Sequence, residues 1–503
     1  MSDKILFFLT NDYTHYCLAY SLQKIYDCKM YAISEVTSRP KIFFQSQNLV
    51  NFENTWFFHD QIKKKSTNPD LDYLEKFEKK YKINLWKLVQ NERIFLYFKN
   101  FYKFTSDEVL NILEQECRFF ENVLEDIKPD YFFTRLPSLH HQELIYQMCR
   151  NTGIKTLALN YTLLAKKCMI SEGIEKLDYD KEFDSIKYQD RSFDEIQKYL
   201  QSFDLIKQLE EKLIKPGSSK LEKLGSMREY LLNFDSVNTE THYTYYGRTK
   251  RKVFFYYLDD YRKTKMRKSF IDKNLKLNSQ FNDPFVYFPL HMEMERSTLI
   301  GAPYYVNQIE VIKNIAKSLP INFKLYIKEH PGQGHRGWRS KSEYKEIMDI
   351  PNAVLFHPDF PKDILYKNCS IVFSIAGTAS FEAACFGKPA ITLIDLIHSI
   401  LPSVHTLKNF NDLHDLINQL LIEKVDSKDV NRFLALFEKN ASNFDWSDFT
   451  KKLSDEFFSG KIQDIEISEE KMKLFLEKNF STLELFANDH IKKIQWFKSL
   501  SVH

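Results

Sequence analysis

The chain has 503 residues, of which 43% are hydrophobic and 28% charged, with a formal net charge of +3. That length exceeds what a single core fills and predicts two or three globular domains. The charge balance gives no argument for a nucleic-acid partner, and no run of about 18 apolar residues predicts a membrane span.

The seven cysteines are scattered, and none forms a CxxC pair. They read as reduced thiols of a cytoplasmic protein, not as a disulfide frame or a zinc site. Residues 4–10 are apolar but too short for a signal peptide and lack a small-residue cleavage site. They read as a first strand. Thr10, Asn11 and Asp12 then cap a helix over 13–25. Strands follow at 30–33 and 55–59. Residues 70–127 carry apolar positions at helical spacing. A strand at 129–134, a helix at 138–151 and a strand at 155–159 complete a β-α-β alternation, which implies a parallel sheet covered by helices.

Residues 180–275 are charged and helical in pattern, with one break at 215–219. Between 241 and 270 aromatic and basic residues interleave, from Tyr243 to Lys268. This run reads as a linker helix with a solvated charged face, or as a surface that lies on anionic lipid or glycan. A second α/β unit begins at Pro284. Strands are predicted at 285–290, 323–328, 353–356, 370–374 and 389–394, and helices at 304–318, 340–348, 361–368 and 378–386. Residues 406–421, 428–439 and 464–500 read as helical. The predicted fold class is therefore α/β, with two Rossmann-like domains facing each other across a cleft. The boundaries are an N-terminal Rossmann-like domain at 1–175, a charged helical insert or linker at 176–280, a C-terminal Rossmann-like domain at 281–445 and a helical tail at 446–503.

Only 12 glycines occur, and six of them fall between Gly301 and Gly387. Where glycine is scarce, such a cluster marks close backbone approach or tight turns. Ser374, Gly377, Thr378, Ser380 and Glu382 sit at a predicted strand-to-helix turn. Helix amides and hydroxyls there suit a phosphate, and Glu382 suits the hydroxyls of a ribose. The alternative is a plain helix cap. Lys328, Glu329, His330 and Pro331 end another strand, and His330 then suits a phosphate oxygen of a departing nucleotide. The alternative is a histidine bonded to a loop carbonyl. A second His-Pro pair, His357 and Pro358, reads as a loop wall beside the base. His291, Glu295 and Arg296 follow the first strand of this unit, where they can meet the sugar or diphosphate. In the first unit, Asp12 and His15 follow strand one, and Arg135, His140 and His141 follow a later strand. Asp12 is the candidate general base, with a simple helix cap as its alternative and His140 as the lesser candidate.

The motifs Tyr287 to Thr298, Lys328 to Pro331, Gly377 to Ala383 and Gly387 to Pro389 resemble those of capsule polysaccharide biosynthesis proteins, which include Kdo transferases. The resemblance covers roughly 284–395. It implies a GT-B glycosyltransferase with an inverting, metal-independent mechanism, in which His330 meets the donor phosphate and Ser374, Thr378 and Glu382 contact the nucleotide. The family's usual proline before the glutamate of the first motif is replaced here by Met294.

The expected activity is transfer of a sugar from a nucleotide-sugar, CMP-Kdo-like or other, to a surface polysaccharide or glycolipid. No cofactor and no metal are expected. The expected location is cytoplasmic, with peripheral contact to the inner membrane face through 241–270 as an option. Two alternatives stay open. One is a nucleotide-sugar 2-epimerase or CDP-alditol phosphotransferase of the same fold. The other is a non-catalytic glycan- or lipid-binding scaffold.

Overall fold

The computed structural model describes residues 2–64, 68–96, 100–161, 167–201, 242–278, 280–458 and 466–500. The centre of the predicted charged insert, including its break at 215–219, lies outside the described residues. The chain divides into two units. The first comprises Met1–Gly173, Phe203–Lys250 and Asn440–His503, and the second Ile174–Ser202 and Arg251–Lys439.

The first unit is built on β1 (Asp3–Leu9), β2 (Cys28–Ser34), β3 (Asn54–Phe57), β4 (Tyr131–Arg135), β5 (Lys155–Tyr161) and β6 (Cys168–Ser171). β1 to β5 run parallel in the order 3-2-1-4-5. β6 then pairs antiparallel with β5 and leads to the two-residue strand Ala441–Ser442. β1 shows why the sheet is covered on both sides. Ile5, Phe7 and Leu9 join one core cluster, while Leu6 and Phe8 join another. Strands buried on both faces read as continuous apolar runs.

The tail does not stand apart as the sequence suggested. Phe444, Trp446, Phe449, Leu453, Leu483, Phe486 and Ile494 pack with Ile5, Phe7 and Leu9 in a single cluster. The Trp446 indole N–H also donates to Thr14 Oγ1 at 3.0 Å. The tail's apolar stripe covers a sheet face that would otherwise be open.

The second unit is built on β7 (Phe285–Pro289), β8 (Lys324–Lys328), β9 (Ala353–Phe356), β10 (Ile371–Ser374), β11 (Ala390–Thr392) and β12 (Val404–Thr406). All its pairings are parallel. The order is 9-8-7-10-11-12, the doubly wound arrangement whose chain reverses direction between β7 and β10. Much of the flank predicted as linker belongs here. Ile397 N–H donates to Ile174 O at 2.9 Å, and Asn431 Nδ2 donates to Arg191 O at 2.8 Å. β12 occupies the start of a stretch predicted as helix, and the helix begins only at Leu413.

The basic-aromatic run is divided between the units. Tyr243 and Tyr246 are buried in the first unit's core. The helix Lys250–Asn274 buries only Val253 and Ile271 and exposes Phe255, Tyr257 and Tyr261. Among the described residues, no helix is long and apolar enough to cross a membrane. All seven cysteines are free thiols.

Candidate functional site

In an open parallel sheet, ligands bind beyond the carboxyl ends of the strands where the strand order reverses. In the second unit that point lies between β7 and β10, so the loops that begin at Leu290 and Ile375 flank it. The structure ties these two loops together. The Nε2 of His291 accepts from the N–H of Ile375 at 3.1 Å and of Ala376 at 3.4 Å, and lies 3.3 Å from Ser374 Oγ. Burial holds the His291 pKa down to about 3, with His330 and Arg339 adding to the effect, so the ring is neutral and accepts at Nε2. Gly377 is required by this contact: a Cβ there would lie 2.7 Å from the His291 ring.

His291 therefore braces the turn from within. Ser374 and Ser380 do the same. Ser374 Oγ is buried and accepts from Gly377 N–H at 3.2 Å. Ser380 Oγ is buried 2.6 Å from His398 Nε2 and 3.3 Å from Gly377 O. Thr378 donates to Glu382 Oε1 at 3.2 Å, and Lys362 pairs with Glu382 Oε2 at 2.8 Å. Of the predicted nucleotide contacts on this turn, Thr378 and Glu382 thus lie toward solvent, while the two serines spend their hydroxyls inside.

β8 delivers the second half of the site. Gly332 N–H donates to His330 Nδ1 at 3.0 Å. That bond places the proton of the neutral ring on Nε2. Burial pushes the His330 pKa below its ordinary value, against the pull of the Glu329 charge. The result is a half-buried neutral imidazole whose Nε2–H is a preset donor. Lys328 was predicted as a ligand contact, but its ammonium is buried and donates to Pro358 O at 2.7 Å. It fastens the end of β8 to the next loop. His357 is also a tie: Nε2 lies 3.0 Å from Asp272 Oδ1, and Nδ1 accepts from Asp359 N–H at 3.1 Å.

Arg339 is a brace of this site that the sequence did not disclose. It is 3% exposed. Its guanidinium donates to Glu329 Oε2 at 2.9 Å, to the Glu293 carboxylate and to His291 O at 2.6 Å. Glu329 is fully buried and also accepts from His330 N–H at 2.7 Å and from the Tyr344 hydroxyl at 2.8 Å. One planar cation thus locks the β7 loop onto the β8 loop, each of its three nitrogens donating to a different acceptor. Its partners are 48, 46 and 10 residues away in the chain, so no local pattern exposes it. Gln333 adds a second lock, accepting from Glu293 N–H at 2.9 Å and donating to Gly337 O at 2.7 Å.

Glu295 and Arg296 are half-buried on the loop between β7 and a π-helical turn at Ser297–Gly301. Met294 has φ +58°, a left-handed conformation that a proline ring cannot adopt. The departure noted at this position is therefore a change of backbone path. Beside the loop that follows Pro331, which carries Gly332, Gly334 and Gly337, an open cleft of about 800 Å³ is lined by Lys265, Lys268, Lys273, His335 and Trp338.

In the first unit the reversal lies between β1 and β4, and its loops hold Asp12 and Arg135. Asp12 Oδ1 accepts from Thr14 N–H at 3.0 Å and from Thr10 Oγ1 at 3.1 Å, while Oδ2 lies 3.3 Å from Arg135 Nη1. Asp12 is thus bound at the helix start and also paired. His15 is buried, and neither ring nitrogen makes a hydrogen bond. Its burial lowers its pKa to about 4. His140 is clamped between Glu92, 3.0 Å from Nδ1, and Glu116, 3.1 Å from Nε2, and is 1% exposed. A histidine so enclosed has no path to an acceptor hydroxyl.

Two doubly wound parallel sheets with their reversal loops at the carboxyl ends are the building blocks of the GT-B class. The model of the family described as capsule polysaccharide biosynthesis protein matches residues 186–400 of the chain. Solved structures show distant likenesses. KpsC of Thermosulfurimonas dismutans, a beta Kdo 2,7 transferase, is 14% identical, over 71% of this chain and 98% of that one, with a TM-score of 0.28. UDP-GlcNAc 2-epimerase from Neisseria meningitidis, bound to UDP-GlcNAc, is 12% identical over 90% and 98%, with a TM-score of 0.27. The Methanocaldococcus jannaschii epimerase, in complex with UDP-GlcNAc and UDP, is 13% identical over 87% and 99%, with a TM-score of 0.25. No curated protein sequence matches this chain.

Proposed function

We propose that the chain is a glycosyltransferase of capsule-type polysaccharide synthesis, with the second unit holding a nucleotide-sugar donor. The observation that carries this is His330. Its Nδ1 is committed to Gly332, so its Nε2–H is a fixed donor at the carboxyl end of β8, beside the β7–β10 reversal. A donor fixed in this way stabilises the charge that grows on a departing phosphate and needs no reorganisation as it does so. Thr378 and Glu382 are proposed to meet the nucleotide, with the ribose competing against Lys362 for Glu382. Glu295 and Arg296 are proposed to face the sugar or diphosphate. The departure is proposed to be metal-independent and the transfer inverting.

The acceptor is proposed to be a surface polysaccharide or glycolipid, with Asp12 as its base and Arg135 holding that carboxylate in place. The exposed aromatic and basic residues of the helix Lys250–Asn274 suit a lipid surface carrying anionic headgroups.

The test is His330→Ala. Nucleotide release from the donor in the presence of acceptor should fall by roughly 100-fold or more, as for the loss of one preorganised donor. Unchanged turnover rejects the assignment. Product analysis without acceptor separates the epimerase, since an epimerase changes the sugar and transfers nothing.

A further inference from the structure

The first unit contains a buried cluster that the transfer chemistry does not use. Glu116 lies midway along the helix Ser106–Ile127, His140 and His141 open the helix His140–Asn151, and Tyr243 sits in a short turn at Tyr243–Tyr245. All four are 0–1% exposed. Glu116, His140 and His141 each turn one ligand atom toward a common point, with all these atoms within 4.8 Å of one another.

We propose that these residues bind a tetrahedral divalent transition-metal ion of the zinc class, held by Glu116, His140 Nε2 and His141 Nδ1, with the Tyr243 hydroxyl at the fourth corner. Two features support this. The first is spacing. Bonds of about 2.0–2.1 Å in a tetrahedron put neighbouring ligand atoms about 3.3 Å apart. Here Glu116 lies 3.1 Å from His140 Nε2, the Tyr243 hydroxyl 3.2 Å from Glu116 Oε1, and the same hydroxyl 3.4 Å from His141 Nδ1.

The second feature is the outer shell. Metal-bound histidines hand their remote N–H to a carboxylate, which fixes the ring and its tautomer. Both histidines do so here: His140 Nδ1 lies 3.0 Å from Glu92 Oε2, and His141 Nε2 lies 3.1 Å from Glu35 Oε2. Phe58 stacks on His141 with ring centres 4.5 Å apart, and Phe95 lies 5.0 Å from His140, so an apolar wall surrounds the pair.

The site is closed to solvent, which marks it as structural, and it pins the Tyr243 turn to the helices Ser106–Ile127 and His140–Asn151. It stands apart from the donor reading, since every ligand belongs to the first unit. His140 and His141 are adjacent in sequence and the other two ligands lie far away, so no ligand spacing reveals the set in the chain.

The test uses untagged full-length protein expressed with zinc and analysed by inductively coupled plasma mass spectrometry. About one equivalent of zinc per chain is expected, falling at least fivefold in both Glu116→Gln and His141→Asn. Wild type loaded with Co²⁺ should show the strong visible bands of a tetrahedral ion, which keeps the test decisive if the variants fail to fold. A folded wild type without bound metal overturns the proposal and leaves His140 as an imidazolium shared by Glu92 and Glu116. So does zinc retained in full by both variants, or a weak octahedral cobalt spectrum.

Discussion

At the residue scale, the β7–β10 reversal of the second unit is a set of side chains that hold backbone in place. His291, Ser374 and Ser380 look like ligand contacts in the sequence because they sit on the right loops. The structure shows that they brace those loops instead. The distinction rests on burial, which a motif does not encode. It also gives Gly377 a specific role. Gly377→Ala meets no backbone strain, but its Cβ would press on a His291 ring pinned by two amides. Overpacking of this kind costs about 1–3 kcal/mol. The expected outcome is a lower Tm by calorimetry together with weakened nucleotide binding. A variant with wild-type Tm and binding would contradict the brace.

At the element scale, most strands were legible because buried parallel strands are short apolar runs ended by polar residues or glycine. β1, β7, β8, β9 and β10 lie within a residue or two of their predicted positions. β6, β12 and the strand Ala441–Ser442 were not legible. They are two to four residues long and exist through their neighbours rather than through any pattern of their own. The tail's helices were legible, but their partner, 440 residues away on β1, was not. The β7 loop shows the same limit in the other direction. Met294 departs from the family's proline, and only its φ of +58° explains why. Met294→Pro should therefore lose more than about 1 kcal/mol, because the ring cannot take this φ. Equal stability in urea melts would mean that the loop also accepts the proline path.

At the scale of the whole molecule, buried histidines dominate the expected response to acid. Burial holds His291, His242 and His490 down to about 3, and His15 and His398 down to about 4. Each is neutral in the fold and takes up a proton in the unfolded chain once pH drops below about 6.5. Unfolding then binds protons, so stability falls as pH falls from about 6.5 toward 4, by about 1.4 kcal/mol per pH unit for each histidine. Tm measured from pH 7.5 to 5.5 should drop steeply, and a flat profile would contradict the neutral burial of these rings.

The proposed function requires the second unit to grip a nucleotide at the β7–β10 reversal. A thermal-shift panel of CMP, CDP, UDP and GDP on the wild type and on Gly377→Ala tests it most directly. One nucleotide should raise the wild-type Tm by a few degrees near 100 times its Kd, where binding adds about 2.7 kcal/mol. The same nucleotide should leave Gly377→Ala nearly unshifted. No shift with any of the four would contradict the donor site and favour a scaffold without catalysis.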